Sequence, residues 1–350
     1  MVKTRLGLAC VVVLVAALLG ARAHAAKPAV GAELIDQLCR VFVPAMVTAP
    51  KAKRHPLIGT VWAPRISERV ASGRVLVQLI RSTDYLLLGE IHDNPIHHQI
   101  QACLLDFASD GRKLSVVFEQ IRTTQADALA TYLARPDATA NGLGPAINWG
   151  KSGWPQWSEY QPIADVALRR KLPILAGDVA RDAMRDVAQR GLDGVPVQDR
   201  NRLGVAVPLP DRLEAALRKE LAESHCNLMP STAFGGMSIA QRYRDAHLAD
   251  ALLTARKTRA GAVLISGNGH VRSDRGVPWH LSRREPETTT LTIAQAEVQD
   301  DVTDPAAYVP KAPDGTPAVD LVVFTERAVR PDQCEELRKR FQKPASNKAK

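Results

Sequence analysis

Gly89-Glu90-Ile91-His92 and Gly267-Asn268-Gly269-His270 repeat one spacing in distant parts of a 350-residue chain. In each, a glycine stands three residues ahead of a histidine. Each unit also closes an apolar run: YLLL before the first, AVLIS before the second. Two more runs end on acids, LSVVF on Glu119 and LPILAG on Asp178, with Arg181 close behind. Imidazoles and carboxylates brought together can act as a general acid–base pair. They can hold a divalent metal in a mixed nitrogen–oxygen site, or an imidazole can take haem iron. Spacing alone does not choose among these. His97 and His98 follow on the first turn of the next helix. They read as exposed helix residues, with His98 the better placed to reach a shared crevice.

Such groups need a frame. Short apolar segments at 85–90, 114–120, 172–178, 262–270, 290–296 and 320–326 read as strands, with 58–64 weaker. Most are continuous rather than alternating, the pattern of strands covered on both faces. Amphipathic segments lie between them, one after Thr124 as the expected N-cap. The fold class predicted is α/β, a largely parallel central sheet flanked by helices. From about 181 to 255 the alternation stops and only helical patterns follow, which predicts a helical lid insertion within one domain spanning 26–342. In a parallel sheet the four polar strand ends share one edge, where ligands bind.

The first 25 residues read as a signal peptide: Lys3 and Arg5, an apolar run over 6–19, then Ala23-His24-Ala25 for cleavage. Cys10 lies inside that run and is expected to leave with it. Export to the periplasm, or secretion, follows, with no lipid anchor. The formal charge of +9 falls to about +6 without the leader. A solvated basic surface, the Lys51-Lys53-Arg54 cluster and a disordered basic tail over 343–350 account for it, and no nucleic-acid motif accompanies it. Cys39, Cys103, Cys226 and Cys334 permit disulfides after export. Of the three pairings, Cys39–Cys334 is the one expected, because both lie in terminal segments.

The ordered set LLLGEIHDNPIHHQIQ, VVFEQ, WPQWSEYQPIADVALRRKLPILAGDVAR, SIAQRYRDAHLADAL and ISGNGHVRSDRGVP resembles the ChaN-type haem-binding uptake proteins of the Tiki superfamily, from about Ile58 to Val298. The family's paired motifs match Gly89/His92 and Gly267/His270, with Glu90, His98 and Glu119. Its other elements match Trp157, Tyr160 and Pro162, then Ala240, Gln241 and Asp245. His247 stands where the family more often has methionine.

The resemblance implies haem as ligand, with a homodimer interface as one place to hold it and haem-transport components as partners. Its candidate ligand-binding residues are His92, His98, Tyr160, Arg181, Gln241, Tyr243, Asp245 and His270. Arg181, Arg244 and Arg272 are candidates for the propionates. Superfamily relatives include peptidases and esterases, so a divalent-metal hydrolase stays open. There His92, Glu119 and His270 would hold the metal or activate water, and Glu90 would be the general base. A third reading keeps the constellation, packed shut, in an interaction module.

Overall fold

The computed structural model describes residues 34–41 and 55–342. The leader, the Lys51-Lys53-Arg54 cluster and the basic tail lie outside the described residues. Eight strands form one sheet: β1 (Val61–Ala63), β2 (Glu68–Arg69), β3 (Tyr85–Glu90), β4 (Leu114–Arg122), β5 (Ile174–Asp178), β6 (Gly261–Gly267), β7 (Thr290–Glu297) and β8 (Leu321–Thr325). Their spatial order is β2-β1-β8-β7-β3-β6-β4-β5. The six strands from β8 to β5 pair in parallel, and β1 joins β8 and β2 antiparallel. The chain is thus α/β, with twelve α-helices among the described residues around a mostly parallel sheet, as the continuous apolar runs predict. β3, β6 and β8 are buried along their whole length, because crossover helices cover both faces. The weak run at 58–64 supplies β1, while β2 is too short and exposed to leave an apolar signature.

Between β5 and β6 lie only helices among the described residues: Arg181–Arg190, Val197–Arg202, Asp211–Ser224 and Ala233–Arg256, plus a 3-10 turn. They enclose a second apolar cluster that includes Val187, Leu203, Val205, Tyr243 and Ala246. The 24-residue helix Ala233–Arg256 is about 36 Å long and serves both cores. Ala240, Tyr243 and Ala246 face the second cluster, and Leu248, Ala249 and Leu252 pack on the sheet. This places Gln241, Arg244 and Asp245, on one helical face by their spacing, at the junction.

Two sequence expectations are corrected. The segment after Thr124 opens with a 3-10 turn, Thr123–Gln125, and the α-helix begins at Ala126 without a side-chain cap. The pairing Cys39–Cys334 is not formed. Cys39 bonds Cys103, and Cys226 bonds Cys334, each with Cα atoms 5.6 Å apart. The short helix Leu34–Leu38 leads Cys39 onto the helix Pro95–Ser109, where Cys103 is fully buried. Cys334 meets the end of the Asp211–Ser224 helix instead. Among the described residues no helix is long and apolar enough to cross a membrane.

Candidate functional site

β3, β6, β4 and β5 lie side by side, so Glu90, the Gly267–His270 turn, Glu119 and Asp178 share one edge. The histidines stand just beyond their strands, His92 two residues past β3 and His270 three past β6. Gly89 permits the close approach of these turns. A Cβ there would sit 2.4 Å from the Asn268 amide oxygen, which accepts from Gln295 N.

Glu90 is the hub of the first half. Its Oε1 accepts from Tyr160 OH at 2.7 Å and Gln120 Nε2 at 2.8 Å, and lies 2.7 Å from His92 Nδ1. Burial opposes its charge, but the neighbouring imidazoles of His98 and His92 outweigh burial and hold the carboxyl well below its usual range. His92 is the open member, its side chain 36% exposed, with its ring leaning on Trp154 at 4.6 Å. Burial disfavours its charge too, but Glu119 and Glu90 hold its pKa above the ordinary imidazole value. With Nδ1 on Glu90, Nε2 takes no hydrogen bond among the described residues.

His270 is the hub of the second half and is buried. Its Nδ1 lies 2.6 Å from Asp245 Oδ1 and 3.2 Å from the Gln241 amide, and its Nε2 lies 3.1 Å from Glu119 Oε1. Against burial, Glu119 and Asp245 raise its pKa to about 10, so it is an imidazolium at neutral pH. Glu119 also accepts Gly267 N–H at 2.8 Å and lies 3.6 Å from Arg244 Nη1. Arg244 donates through Nε to Asp178 Oδ1 at 3.0 Å. Burial raises the pKa of Asp178 and of Asp245, which the nearby cations only partly offset.

The remaining candidates divide. Tyr160 is fully buried, its ring stacked on His98 at 3.9 Å, and burial beside Glu90 drives its phenol pKa upward. Gln241 and Asp245 both reach His270. Tyr243 does not reach the edge: its hydroxyl donates to Asp199 at 2.9 Å, in the helical insertion. His247 neighbours the same Asp199 at 3.6 Å. Arg272 pairs with Asp274, and Arg244 with Asp178 and Glu119, so both are engaged. Arg181 instead donates to the Ser152 carbonyl at 2.8 Å.

The reading of His97 and His98 as exposed fails; both are 0% exposed. Asn94 caps the helix through Ile96 N at 3.0 Å with Pro95 at its first position, and this start turns the first helical turn inward. His97 is held neutral by burial, its pKa depressed to about 3. Its Nδ1 accepts from Ile91 N, so Nε2–H donates to Thr325 Oγ1. It fastens the loop carrying His92. His98 packs beneath Glu90, its Nε2 3.5 Å from Oε2.

Sequence reasoning missed Gln120 and Arg122, which extend β4 past Glu119. Their only signal is position, since the strand alternation points Gln120 and Arg122 away from Glu119. A groove of about 650 Å³ lies apart from this edge, lined by Leu38, Phe107, Pro162 and Val166 among others, and includes none of the cluster. Among the described residues no three His, Cys, Asp or Glu side chains are arranged to hold a metal ion. The donor atoms of His270 and Glu119 face each other rather than a common point.

Gly267 seats His92, since a Cβ there would lie 2.8 Å from its Nε2. Gly267→Ala is expected to push the imidazole off Glu90 and lower the His92 pKa toward that of an ordinary imidazole. A proton NMR titration checks this, and an unmoved His92 resonance would refute it.

The chain matches the family described as haem-binding uptake, Tiki superfamily, ChaN, over residues 76–281. It belongs to that family. No curated protein matches it. Among solved structures it is similar to the one described as cofacial heme binding to ChaN of Campylobacter jejuni. That match has 19% identity and a TM-score of 0.58, and covers 75% of this chain and 95% of that one. It shares the fold. An erythromycin esterase, EreC, in its open conformation matches at 16% identity and TM-score 0.37, over 79% of this chain and 86% of that one. The type III effector HopBA1 matches at 10% and 0.41, over 76% and 94%.

Proposed function

We propose that this member of the haem-binding uptake family is an exported haem-binding protein, serving haem or iron acquisition, and that His92 is its iron ligand. One observation carries the reading: a buried carboxylate holds Nδ1 of His92 and leaves Nε2 unpartnered on a partly exposed ring. Histidines that ligate metals almost always donate their other ring N–H to such a partner, which fixes the tautomer and raises ligand basicity. Haem, when bound, would supply the iron and an apolar macrocycle. This chain's residues orient the imidazole through Glu90, Tyr160 and Gln120. The helical insertion is read as the lid over the edge, and a second copy as the completion of the site. Two disulfides support an oxidising compartment.

The neighbouring groups fit other roles less well. Tyr160 and Tyr243 both spend their hydroxyls on carboxylates, so neither offers a free phenol. The hydrolase reading needs Glu90 as general base, yet Glu90 is stabilised as the anion by three donors and is a weak base. It also needs His270 as a ligand, and both its ring nitrogens face carboxylates. A shut interaction module is disfavoured by the open His92.

Titrating the leader-free protein with haemin, followed by visible absorbance, tests the reading. A saturable Soret shift is expected, with His92→Ala binding at least about tenfold more weakly. No shift in the wild type sinks haem binding. A co-purifying divalent metal together with hydrolysis of esters or peptides would replace it with the hydrolase. An equal shift in His92→Ala would move the ligand elsewhere.

A further inference from the structure

Arg122 and Arg181 carry no ion pair among the described residues, in a protein whose arginines mostly do. Both point at one acceptor, the Ser152 carbonyl, through Arg122 Nη2 at 3.3 Å and Arg181 Nη2 at 2.8 Å. One neutral oxygen therefore holds two guanidiniums side by side, with most of their N–H groups unspent. Arg122 is half-buried, and its pKa is lowered by burial and by the charges of Arg181 and Arg244 against the pull of Asp178 and Glu119. Those two carboxylates are already engaged by Arg244 and His270.

The backbone adds to the positive field. Arg181 opens a ten-residue helix whose N-cap, Ala180, makes no side-chain cap. Among the described residues the first-turn N–H groups, apart from that of Met184, which bonds Ala180 O, have no acceptor, and the one acid of that turn, Asp182, is turned to Arg185. Gly153, at φ +88°, leaves room beside Arg181, since a Cβ there would come within 3.3 Å of Nη2. The same loop reaches the open histidine: Trp154, two residues after Ser152, leans on His92 and keeps a buried indole N–H without a partner.

We infer that Arg122 and Arg181, with the helix start at Arg181, form a carboxylate-binding subsite for a planar ligand whose ring lies toward Trp154 and His92. Guanidinium forks match carboxylates with two parallel N–H···O bonds, and two of them suit a ligand with two acid groups. The subsite rests on the haem reading for its ligand class but needs no iron, which separates the two tests.

The probe is metal-free protoporphyrin, a dicarboxylate, compared with its dimethyl ester by fluorescence titration of the full-length leader-free protein. The wild type is expected to bind the diacid at least tenfold more tightly than the ester. In Arg122→Gln/Arg181→Gln the preference is expected to vanish while ester affinity stays, which also reports an intact fold. Arg181→Gln alone, at an exposed residue, is expected to remove part of the preference should the double variant misfold. Arg122→Lys/Arg181→Lys keeps charge without the fork and is expected to fall between. Equal binding of the two probes, no binding of either, or a preference surviving in both Gln variants overturns the subsite. A diacid preference without any haemin Soret shift would keep the subsite and defeat iron ligation by His92.

Discussion

His270→Ala is expected to lower the folding free energy by about 3–5 kcal/mol, read as a fall in the denaturant midpoint at neutral pH. The imidazolium is buried between Glu119 and Asp245, and its removal leaves two buried carboxylates facing each other. Arg244 reaches Glu119 only at 3.6 Å and is shared with Asp178. The pH dependence has a definite sign. The folded pKa is about 10 against about 6.5 unfolded, so the folded state binds the proton more tightly. This stabilisation is full below about pH 6.5, declines as pH rises, and is gone above about pH 10. The gap between wild type and variant should therefore narrow in alkaline solution. Glu119 runs the other way: its pKa is depressed, so its contribution is present above about pH 4.5 and lost as pH falls. Asp245 contributes less than its short contact suggests, since burial pushes its pKa up. A gap under about 1 kcal/mol at pH 7, or one that is the same at pH 7 and pH 10, would contradict this account.

Cys39→Ala/Cys103→Ala is expected to cost about 4 kcal/mol by chain-entropy reasoning for a loop of 64 residues. Both sulfurs are buried, so the loss adds a packing defect where the Leu34–Leu38 helix meets the Pro95–Ser109 helix. Cys226 and Cys334 are only half-buried. Mild thiol treatment should open that bond first, because thiolate attack needs access. Mass spectrometry after alkylation checks the order, and prior labelling of Cys39 and Cys103 would be the contrary result.

The frame was legible in the sequence where single residues had one reason to be as they are. YLLLGE and AVLISG had to be strands covered on both faces, and their polar ends had to share an edge once the strands were parallel. Gln241 and Asp245 were legible through family likeness, and the helix Ala233–Arg256 carries them to His270. What stayed hidden depends on distant packing. His97 and His98 looked like surface residues because an inward-turned first helical turn has no local signature. The cysteine pairing depended on where two short helices dock, not on the chain ends meeting. Tyr243 and Arg272 had suitable chemistry, but nearer partners, Asp199 and Asp274, absorb it. Arg122 escaped notice because its place beside Arg181 on the Ser152 carbonyl is a three-dimensional fact.

The two disulfides close consecutive rings that do not overlap, one from 39 to 103 and one from 226 to 334. The first ring holds β1, β2 and β3; the second holds β6, β7 and β8; β4 and β5 lie on the strip between. A single backbone cut inside either ring leaves one covalent molecule. A cut between 104 and 225 makes two, one carrying His92 and the other His270. Between the two rings, a protease therefore meets a stretch in which a single cut parts the two histidines. That stretch includes Trp154, Arg181 and the exposed loops between the helices that begin the insertion.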